Sequence, residues 1–179
     1  MTVADDVRLQ GKLALLRPRR DDDAAHFVRW HNDPDVRHWL HMSEAPEQTL
    51  EAERQRWNLV RSDAARVSFM IETKDGEVIG NVNLIGVDEV HGRAELGISI
   101  GEKEYWGLGY GTDAMRVLLR YAFETLDLRR IELITDIDNE RGIRAYEKAG
   151  FTQEGVLRAK RLRYGKPLDM LLMSVLRED

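Results

Sequence analysis

The clearest candidate for a functional site is a run of alternate glycines between a strand-like segment and a helix-like segment. The run reads Trp106-Gly107-Leu108-Gly109-Tyr110-Gly111-Thr112. Glycines let backbone N–H groups converge, and the amino terminus of the following helix adds free amides and partial positive charge. The pattern therefore indicates a phosphate site, with a glycine-rich turn that binds nothing as the alternative. It matches neither the dinucleotide pattern G-x-G-x-x-G nor a Walker loop, which ends in Gly-Lys-Ser/Thr.

A second candidate functional segment runs from Asp138 to Phe151 and reads DNERGIRAYEKAGF. Asn139 is a residue type that caps helices, because its side-chain oxygen accepts a hydrogen bond from a free backbone amide. Tyr146 would lie on that helix as a half-buried tyrosine. Taken by themselves, both residues have purely structural interpretations.

The third segment is the alternating run Arg93–Ile100, whose pattern predicts a half-buried strand. Ala94, Leu96, Ile98 and Ile100 would share one face. The opposite face would carry Glu95 beside the small residues Gly97 and Ser99, which leaves room next to the carboxylate. A solvated edge charge, or an ion pair with Arg93, is the structural alternative for Glu95.

The elements that must position these segments follow from hydrophobic periodicity. Strands are predicted at residues 13–16, 67–73, 78–87, 93–100, 131–137, 152–158 and 168–176. Helices are predicted after the aspartates at 21–23, as a short turn at 35–40, from Pro46 to about Arg61, from Gly111 to about Leu126, and from Asn139 to Gly150. In the Pro46 helix, Leu50, Trp57 and Val60 would form the buried stripe. The order of elements predicts a mixed sheet with helices on both faces.

Composition narrows the classes of protein to which the chain can belong. Its 179 residues include 42% hydrophobic and 33% charged residues, with 27 Lys and Arg against 32 Asp and Glu, a net charge of −5. This is typical of a globular protein, and the uncharged run at residues 78–87 is too short to span a membrane. The amino terminus does not resemble a secretory signal, so a cytoplasmic location is expected. The acidic balance disfavours a nucleic-acid binder.

The chain contains no cysteine. This excludes disulfides, cysteine-based metal sites and acyl transfer through an enzyme thiol. The histidines at positions 31, 38 and 41 do not complete a convincing ligand set, so no metal is expected.

The glycine run and the later helix, in this order and with a strand between them, resemble the GNAT superfamily of N-acetyltransferases. The phosphate loop of that family follows the pattern Gln/Arg-x-x-Gly-x-Gly/Ala, matched here by residues 106–111. Its later helix carries N-x-x-A-I-x-x-Y-E-K-x-G-F, matched here from Asn139 to Phe151. Two positions depart from the patterns. Trp106 replaces Gln or Arg, which leaves the loop amides intact, and Gly142 replaces Ala, at about 1 kcal/mol of helix propensity.

Further segments extend the resemblance over nearly the whole chain. Residues 15–18, 30–36 and 164–170 are similar to the branch that holds ribosomal-protein amino-terminal acetyltransferases and spermidine N-acetyltransferases, and residues 90–95 are similar to the spermidine enzymes. The resemblance implies one N-acetyltransferase domain over residues 1–179. It also implies a GNAT-like α/β fold with a mostly antiparallel twisted sheet of six to seven strands.

The resemblance also implies roles for the segments described above. Acetyl-CoA would be the co-substrate, bound by loop residues 106–112, by Asn139, and by the backbone of Ile98, Ser99 and Ile100. Those backbone amides would also stabilise the oxyanion. Tyr146 would be the acid that protonates the leaving thiolate, next to the cofactor, and Glu95 would be a base or the anchor of a cationic amine.

The acceptor is expected to be a primary amine, with a small polycation such as a polyamine slightly favoured. A protein amino terminus and an aminoglycoside or amino sugar are the alternatives, and an acyl-CoA-binding sensor without turnover is the non-enzymatic one. The net charge, Glu95, and acidic residues expected near the acceptor lip (Asp33, Asp35, Glu44 and Glu47) are compatible with a polyamine. No nucleic acid or membrane partner is expected, and a homodimer is left open.

Overall fold

The protein is an eight-stranded sheet with helices on both faces, as seen in a computed structural model that describes residues 6–179. The strands are β1 Leu9–Gln10, β2 Ala14–Pro18, β3 Arg66–Thr73, β4 Val78–Asp88, β5 Arg93–Ile100, β6 Arg130–Asp136, β7 Thr152–Arg163 and β8 Lys166–Leu176. The helices are α1 Ala24–Asn32, α2 Pro34–Trp39, α3 Leu50–Ser62, α4 Tyr110–Glu124 and α5 Glu140–Ala149. None of these helices is long and apolar enough to cross a membrane.

The sheet has the order β1-β2-β3-β4-β5-β6-β8-β7, and every neighbouring pair is antiparallel except β5 and β6. The predicted mixed, mostly antiparallel sheet is therefore confirmed. The expected six to seven strands become eight because the two-residue β1 pairs with β2, and so short a segment has no periodicity to detect. β8 lies inside the sheet between β6 and β7, as its two apolar faces predicted.

One face of the sheet packs on α4 to form the main core. The predicted inward residues Met115, Leu118, Leu119 and Ala122 are all buried. They meet alternate residues of the central strands, including Phe69 of β3. Burial of this face supplies most of the hydrophobic stabilisation and fixes the start of α4 beside the end of β5.

The other face carries α1, α2 and α3 and, within residues 6–179, a small apolar cluster formed by Phe27, Trp30, Val36 and Met70. The sequence-based interpretation of α3 was wrong in two respects. The helix begins at Leu50 because the Thr49 hydroxyl accepts a hydrogen bond from the Ala52 amide at 3.2 Å, a cap that Pro46 cannot supply. Leu50 is 41% exposed, whereas Glu53 is completely buried, so the inward face of α3 is polar.

A buried ion pair fixes β2 to the segment that precedes α1. Arg17 donates two hydrogen bonds of 2.7 Å to the two carboxylate oxygens of Asp23, and it also contacts Glu72 on β3. Burial by itself would raise the pKa of Asp23, but the Arg17 guanidinium and the Arg20 amide outweigh it and lower that pKa. Arg17 thereby joins β2, β3 and the entry to α1.

Replacing Arg17 by Met should lower the free energy of unfolding at pH 7 by about 3–5 kcal/mol, because the buried carboxylate of Asp23 and the partly buried one of Glu72 would lose their cation. The lowered pKa of Asp23 means that its ion pair stabilises the fold above a pH of about 4 and that this contribution is lost as the pH falls through the folded-state pKa. The deficit of the variant should therefore shrink in acid. Urea unfolding at neutral and acidic pH measures both effects.

The control is Arg61→Met, which removes an exposed arginine whose nitrogen lies 3.7 Å from Asp21. This variant should lose less than about 1 kcal/mol. Equal losses in the two variants would contradict the stabilising role given to the buried pair.

Candidate active site

The two parallel strands of the sheet separate halfway along their length. β5 and β6 pair only at Arg93–Arg130, Ala94–Ile131 and Glu95–Glu132. From Leu96 to Ile100, β5 pairs with β4 alone, and β6 continues beside β8. Alternate backbone groups of β5 therefore have no sheet partner on the β6 side, which leaves hydrogen-bonding capacity along an open groove.

The glycine loop closes one end of this groove. Gly107 and Gly109 have φ values of 78° and 92°, in the left-handed region that favours glycine. Gly109 is the residue before α4, and the first intrahelical hydrogen bond runs from the Asp113 amide to its carbonyl. The amides of residues 110–112 precede that bond, so they are free to bind an anion.

Asp113 fixes the position of the loop relative to the sheet. Its carboxylate accepts hydrogen bonds from the backbone amides of Lys12, Leu13 and Ala14 at 3.1, 2.8 and 2.9 Å. Burial by itself would raise the pKa of Asp113, but these donors outweigh it and lower that pKa. The first turn of α4 is thereby attached to the start of β2.

A cavity of about 1170 Å³ lies at the separation of the strands and is lined by residues from both faces of the sheet. Most of the predicted cofactor-binding residues line it: Ile98, Ser99, Ile100, Trp106, Gly107, Gly109, Gly111, Thr112, Asn139 and Tyr146. Leu108 and Tyr110 do not. The Leu108 side chain is 60% exposed, and the Tyr110 ring packs edge-on against Tyr105. These two residues contribute only backbone groups to the loop.

The helix after β6 supplies the tyrosine at the other side of the groove. The Asn139 side chain caps α5, because its oxygen accepts a hydrogen bond from the Gly142 amide at 3.0 Å while its nitrogen donates to Thr135 at 3.2 Å. The predicted cap is confirmed. A Cβ at position 142 would lie 2.4 Å from the side-chain nitrogen of Asn139, so an alanine here would require that side chain to shift. Burial raises the pKa of Tyr146, so its phenol stays protonated across the neutral range.

Glu95 lines the cavity on the face opposite Tyr146 and α4. Arg93, its suggested partner, lies 3.6 Å from Asp88 instead. The other three carboxylates that line the cavity are engaged: Glu53 by Arg19, Asp113 by three amides, and Asp136 by His41 and Arg163. Within residues 6–179, Glu95 is thus the cavity carboxylate that keeps its charge free for a ligand.

The acidic residues expected at the acceptor lip do not take that position. Asp33 and Asp35 lie 2.8 and 2.7 Å from the Lys103 ammonium, which pairs with both and offsets one of their two charges. Glu44 and Glu47 are exposed, and none of the four lines the cavity. The expectation failed because it rested on nearness in sequence to α1, whereas Lys103 reaches these aspartates from beyond β5.

Several polar residues on the Glu95 side of the cavity were not singled out from the sequence. Arg19 lies 3.0 Å from the buried Glu53, and its guanidinium stacks over Phe27 and Trp57. Burial by itself would raise the pKa of Glu53, but His31 and Arg19 lower it. The sequence signal that could have revealed this network is Glu53 itself, because it occupies an inward position of α3.

The floor of this compartment is also polar. Arg66 and Ser68 on β3 lie beside Asn83 on β4, and all three residues line the cavity. The Arg66 Nε and the Ser68 hydroxyl are buried and make no hydrogen bond within residues 6–179. Hydrogen-bond donors thus remain unused on the same sheet face as Glu95.

A third polar group lies at the end of β6, where Asp136 is only 3% exposed. The His41 Nε2 lies 3.0 Å from one of its oxygens, and Arg163 contacts the other. Burial by itself would raise the pKa of Asp136, but His41 and Arg163 lower it. This group fastens the segment after α2 to β6 and β7 at the rim of the cavity.

Comparison with known proteins agrees with this architecture. Residues 14–152 match the family model of the acetyltransferase (GNAT) domain. The spermidine N(1)-acetyltransferase of Escherichia coli K12 is 34% identical over 143 residues, which cover 79% of this chain and 74% of that protein. An uncharacterized N-acetyltransferase of Bacillus licheniformis, p20, is 28% identical over 169 residues, covering 92% of this chain and 93% of its own.

Among solved structures, the spermidine N-acetyltransferase from Vibrio cholerae in complex with CoA and spermine superposes with a TM-score of 0.83. The two chains are 26% identical, and the match covers 92% of this chain and 96% of that one. The separated strands, the glycine loop and the capped tyrosine helix thus occur in a chain whose relatives are acetyltransferases. This chain belongs to the GNAT family of acetyl-CoA-dependent N-acetyltransferases.

Proposed function

We propose that this enzyme transfers an acetyl group directly to a primary amine of a small polycation, a polyamine, and that Glu95 receives the amine. The observation that carries the proposal is the free carboxylate of Glu95 at the point where β5 and β6 separate. Gly97 and Ser99 follow on the same face of β5 and leave space for an alkyl chain. The spermidine acetyltransferases among its relatives support the same acceptor class.

The residues around the groove fit acetyl-CoA. The loop amides of residues 110–112 and the helix dipole of α4 suit the pyrophosphate, and Gly107 has no atom within 4 Å of a hypothetical Cβ, so the loop surface is open. The unpaired edge of β5 suits the amide groups of pantetheine, and Asn139 lies across the groove. Bound there, acetyl-CoA supplies the acetyl group as a thioester.

The chain's own residues then perform three tasks. Glu95, directly or through water, accepts a proton from the ammonium group of the acceptor, so that a neutral amine can form the C–N bond. Backbone N–H groups between Ile98 and Ile100 donate hydrogen bonds to the carbonyl oxygen as it becomes negative. As the C–S bond breaks, the Tyr146 hydroxyl donates its proton to the departing sulfur and regains one from the amine nitrogen, through solvent.

A protein amino terminus is the second candidate acceptor, and the polar floor favours it. The unused donors of Arg66 and Ser68 would suit the carbonyl groups that follow a peptide α-amine. Arg66 also repels a second cation, whereas a peptide bond is neutral. Arg66 would therefore weaken the binding of a polyamine but strengthen the binding of a peptide.

Replacing Gly111 by Asp should abolish CoA binding while the fold survives, because a carboxylate in the first turn of α4 repels the pyrophosphate yet suits the helix dipole. A Cβ at this position makes only ordinary contacts, 3.8 and 3.9 Å from Ile100 and Ile98. Gly109 is a poorer position to test, since its φ of 92° strains any other residue.

The matched control is Gly111→Ala, which adds the Cβ without the charge and should bind CoA much as the parent does. Titration calorimetry with CoA, beside a thermal melt of each variant, measures the effect. Tight CoA binding by the Asp variant would show that the phosphates lie elsewhere.

Replacing Tyr146 by Phe should lower kcat by about ten- to a thousandfold with little change in acetyl-CoA affinity, because it removes one proton donor used late in the reaction. Because burial keeps the pKa of Tyr146 above its ordinary value, the residual pH profile near neutrality should keep the shape of the parent's. Steady-state kinetics at saturating acceptor and calorimetry with CoA separate the two effects. An unchanged kcat would remove Tyr146 from the mechanism.

Replacing Glu95 by Gln should raise KM for spermidine more than for an amine with an uncharged tail, because loss of a charge pair penalises the polycation most. Arg66→Gln serves as the partner variant. It should lower KM for spermidine if the acceptor is a polyamine, and raise KM for a Ser- or Ala-initiated peptide if the acceptor is a protein amino terminus. Thiol release from acetyl-CoA is followed for each variant with each amine. No turnover of spermidine by the parent would contradict the polyamine proposal.

A further inference from the structure

A contact between Trp106 and Arg141 spans the groove between the separated strands. The guanidinium carbon of Arg141 lies 3.9 Å from the centre of the Trp106 ring. Trp106 follows β5 and begins the glycine loop, whereas Arg141 lies in the first turn of α5, after β6. Both residues line the cavity, so the pair joins its two sides beside the loop amides.

The indole of Trp106 is held in place by two further contacts. Its Nε1 donates a hydrogen bond of 2.7 Å to the carbonyl oxygen of Ile100. Its ring packs against the small apolar cluster beneath α1 and α2, which includes Phe27 and Trp30. A fixed indole face is a strong platform for a guanidinium, and the Trp106 N–H is no longer available to a ligand.

Arg141 has donors that the fold does not use. No carboxylate in residues 6–179 lies within the 4.0 Å ion-pair distance of its nitrogens. Two other arginines that line the cavity are engaged, since Arg144 lies 3.3 Å from Glu140 and Arg116 donates to the carbonyl of Lys148. Arg141 is an exposed residue of the cavity wall, and desolvation of its guanidinium lowers its pKa.

The loop departs from its family pattern at Trp106, the residue on which this free guanidinium is stacked. The pattern has Gln or Arg at the position of Trp106, and an indole whose N–H is already bonded cannot replace that polar side chain. We propose that Arg141, held on the face of Trp106, binds the pyrophosphate of CoA and supplies the polar contact that the loop lacks. The inference rests on the cofactor site proposed above. A planar guanidinium with several donors in a fixed geometry suits a phosphate group.

The test compares the affinity of each variant for CoA and for pantetheine, which lacks the phosphates and the adenosine. The ratio of the pantetheine Kd to the CoA Kd reports the contribution of this nucleotide part, because effects on the pantetheine part of the groove cancel. Arg141→Gln should lower this ratio by about tenfold or more, since one charge-assisted contact is lost. Arg120→Gln, which removes the same charge from the exposed side of α4 outside the cavity, should leave it unchanged. An unchanged ratio in the Arg141 variant would overturn the proposal.

Substitutions of Trp106 test whether the ring holds Arg141. Trp106→Leu should lower the ratio about as much as Arg141→Gln does, and the double variant should lose no more than the worse single variant. Trp106→Phe keeps an aromatic face, so its ratio of the two Kd values should stay close to that of the parent. This result would separate loss of the stacking contact from loss of folding. Additive losses in the double variant would contradict the role of the ring.

Dephospho-CoA distinguishes the pyrophosphate from the 3′-phosphate. The Arg141→Gln variant should lose the same factor with dephospho-CoA as with CoA. A loss seen with CoA alone would overturn the assignment to the pyrophosphate. Absence of CoA binding to the parent would refute the proposed cofactor site itself, whereas tight parental binding with an unchanged ratio refutes only the role of Arg141.

Discussion

The parallel pairing of β5 and β6 stops after three residues, and the rest of the site depends on that limit. At the paired end, the amides of Arg129 and Arg130 donate to the carbonyl of Gly92 and hold the strands together. At the other end, β5 runs toward α1, where a Cβ at Gly101 would lie 2.1 Å from the Trp30 ring. Beyond Glu95 the two strands are no longer paired with each other, and backbone groups that a sheet would normally satisfy line the groove.

Two helix amino termini meet at this groove for a topological reason. Each of the separated strands is followed by a helix, α4 after β5 and α5 after β6. The helices are tied together by hydrogen bonds from Thr112 to the Ala145 carbonyl, at 3.4 Å, and from Arg116 to the Lys148 carbonyl. The free amides and partial positive charges of both first turns thus concentrate on one side of the sheet, where an anionic ligand gains most.

The opposite side of the sheet is organised by charge rather than by apolar packing. Glu53 and Arg19 are almost completely buried, and such a pair stabilises little unless its geometry is good. Its effect is to hold α3 over the sheet without filling the space with apolar side chains. The compartment therefore retains unfilled volume, the unused hydrogen-bond donors of Arg66 and Ser68, and the free carboxylate of Glu95. In the proposed function, these features select the acceptor, whereas the α4 side binds acetyl-CoA.

The sequence by itself determined the features whose causes are local. Alternation predicted β5 with its bounds as observed, periodicity predicted α4, and the residue type at position 139 predicted the cap of α5. The position of the glycine loop also followed from the sequence, because a helix start and left-handed glycines depend on a few neighbouring residues.

Only the tertiary structure decided which of these groups are free to act. Lys103 pairs with Asp35 across a separation of 68 residues, and Arg19 pairs with Glu53 across 34, so the carboxylates left for an acceptor could not be read from composition or spacing. The contact between Trp106 and Arg141 likewise needs two helices to dock on neighbouring strands. Contacts between residues so distant in the chain depend on strand order and on the packing of helices on the sheet. A local pattern of residue types does not specify either of these.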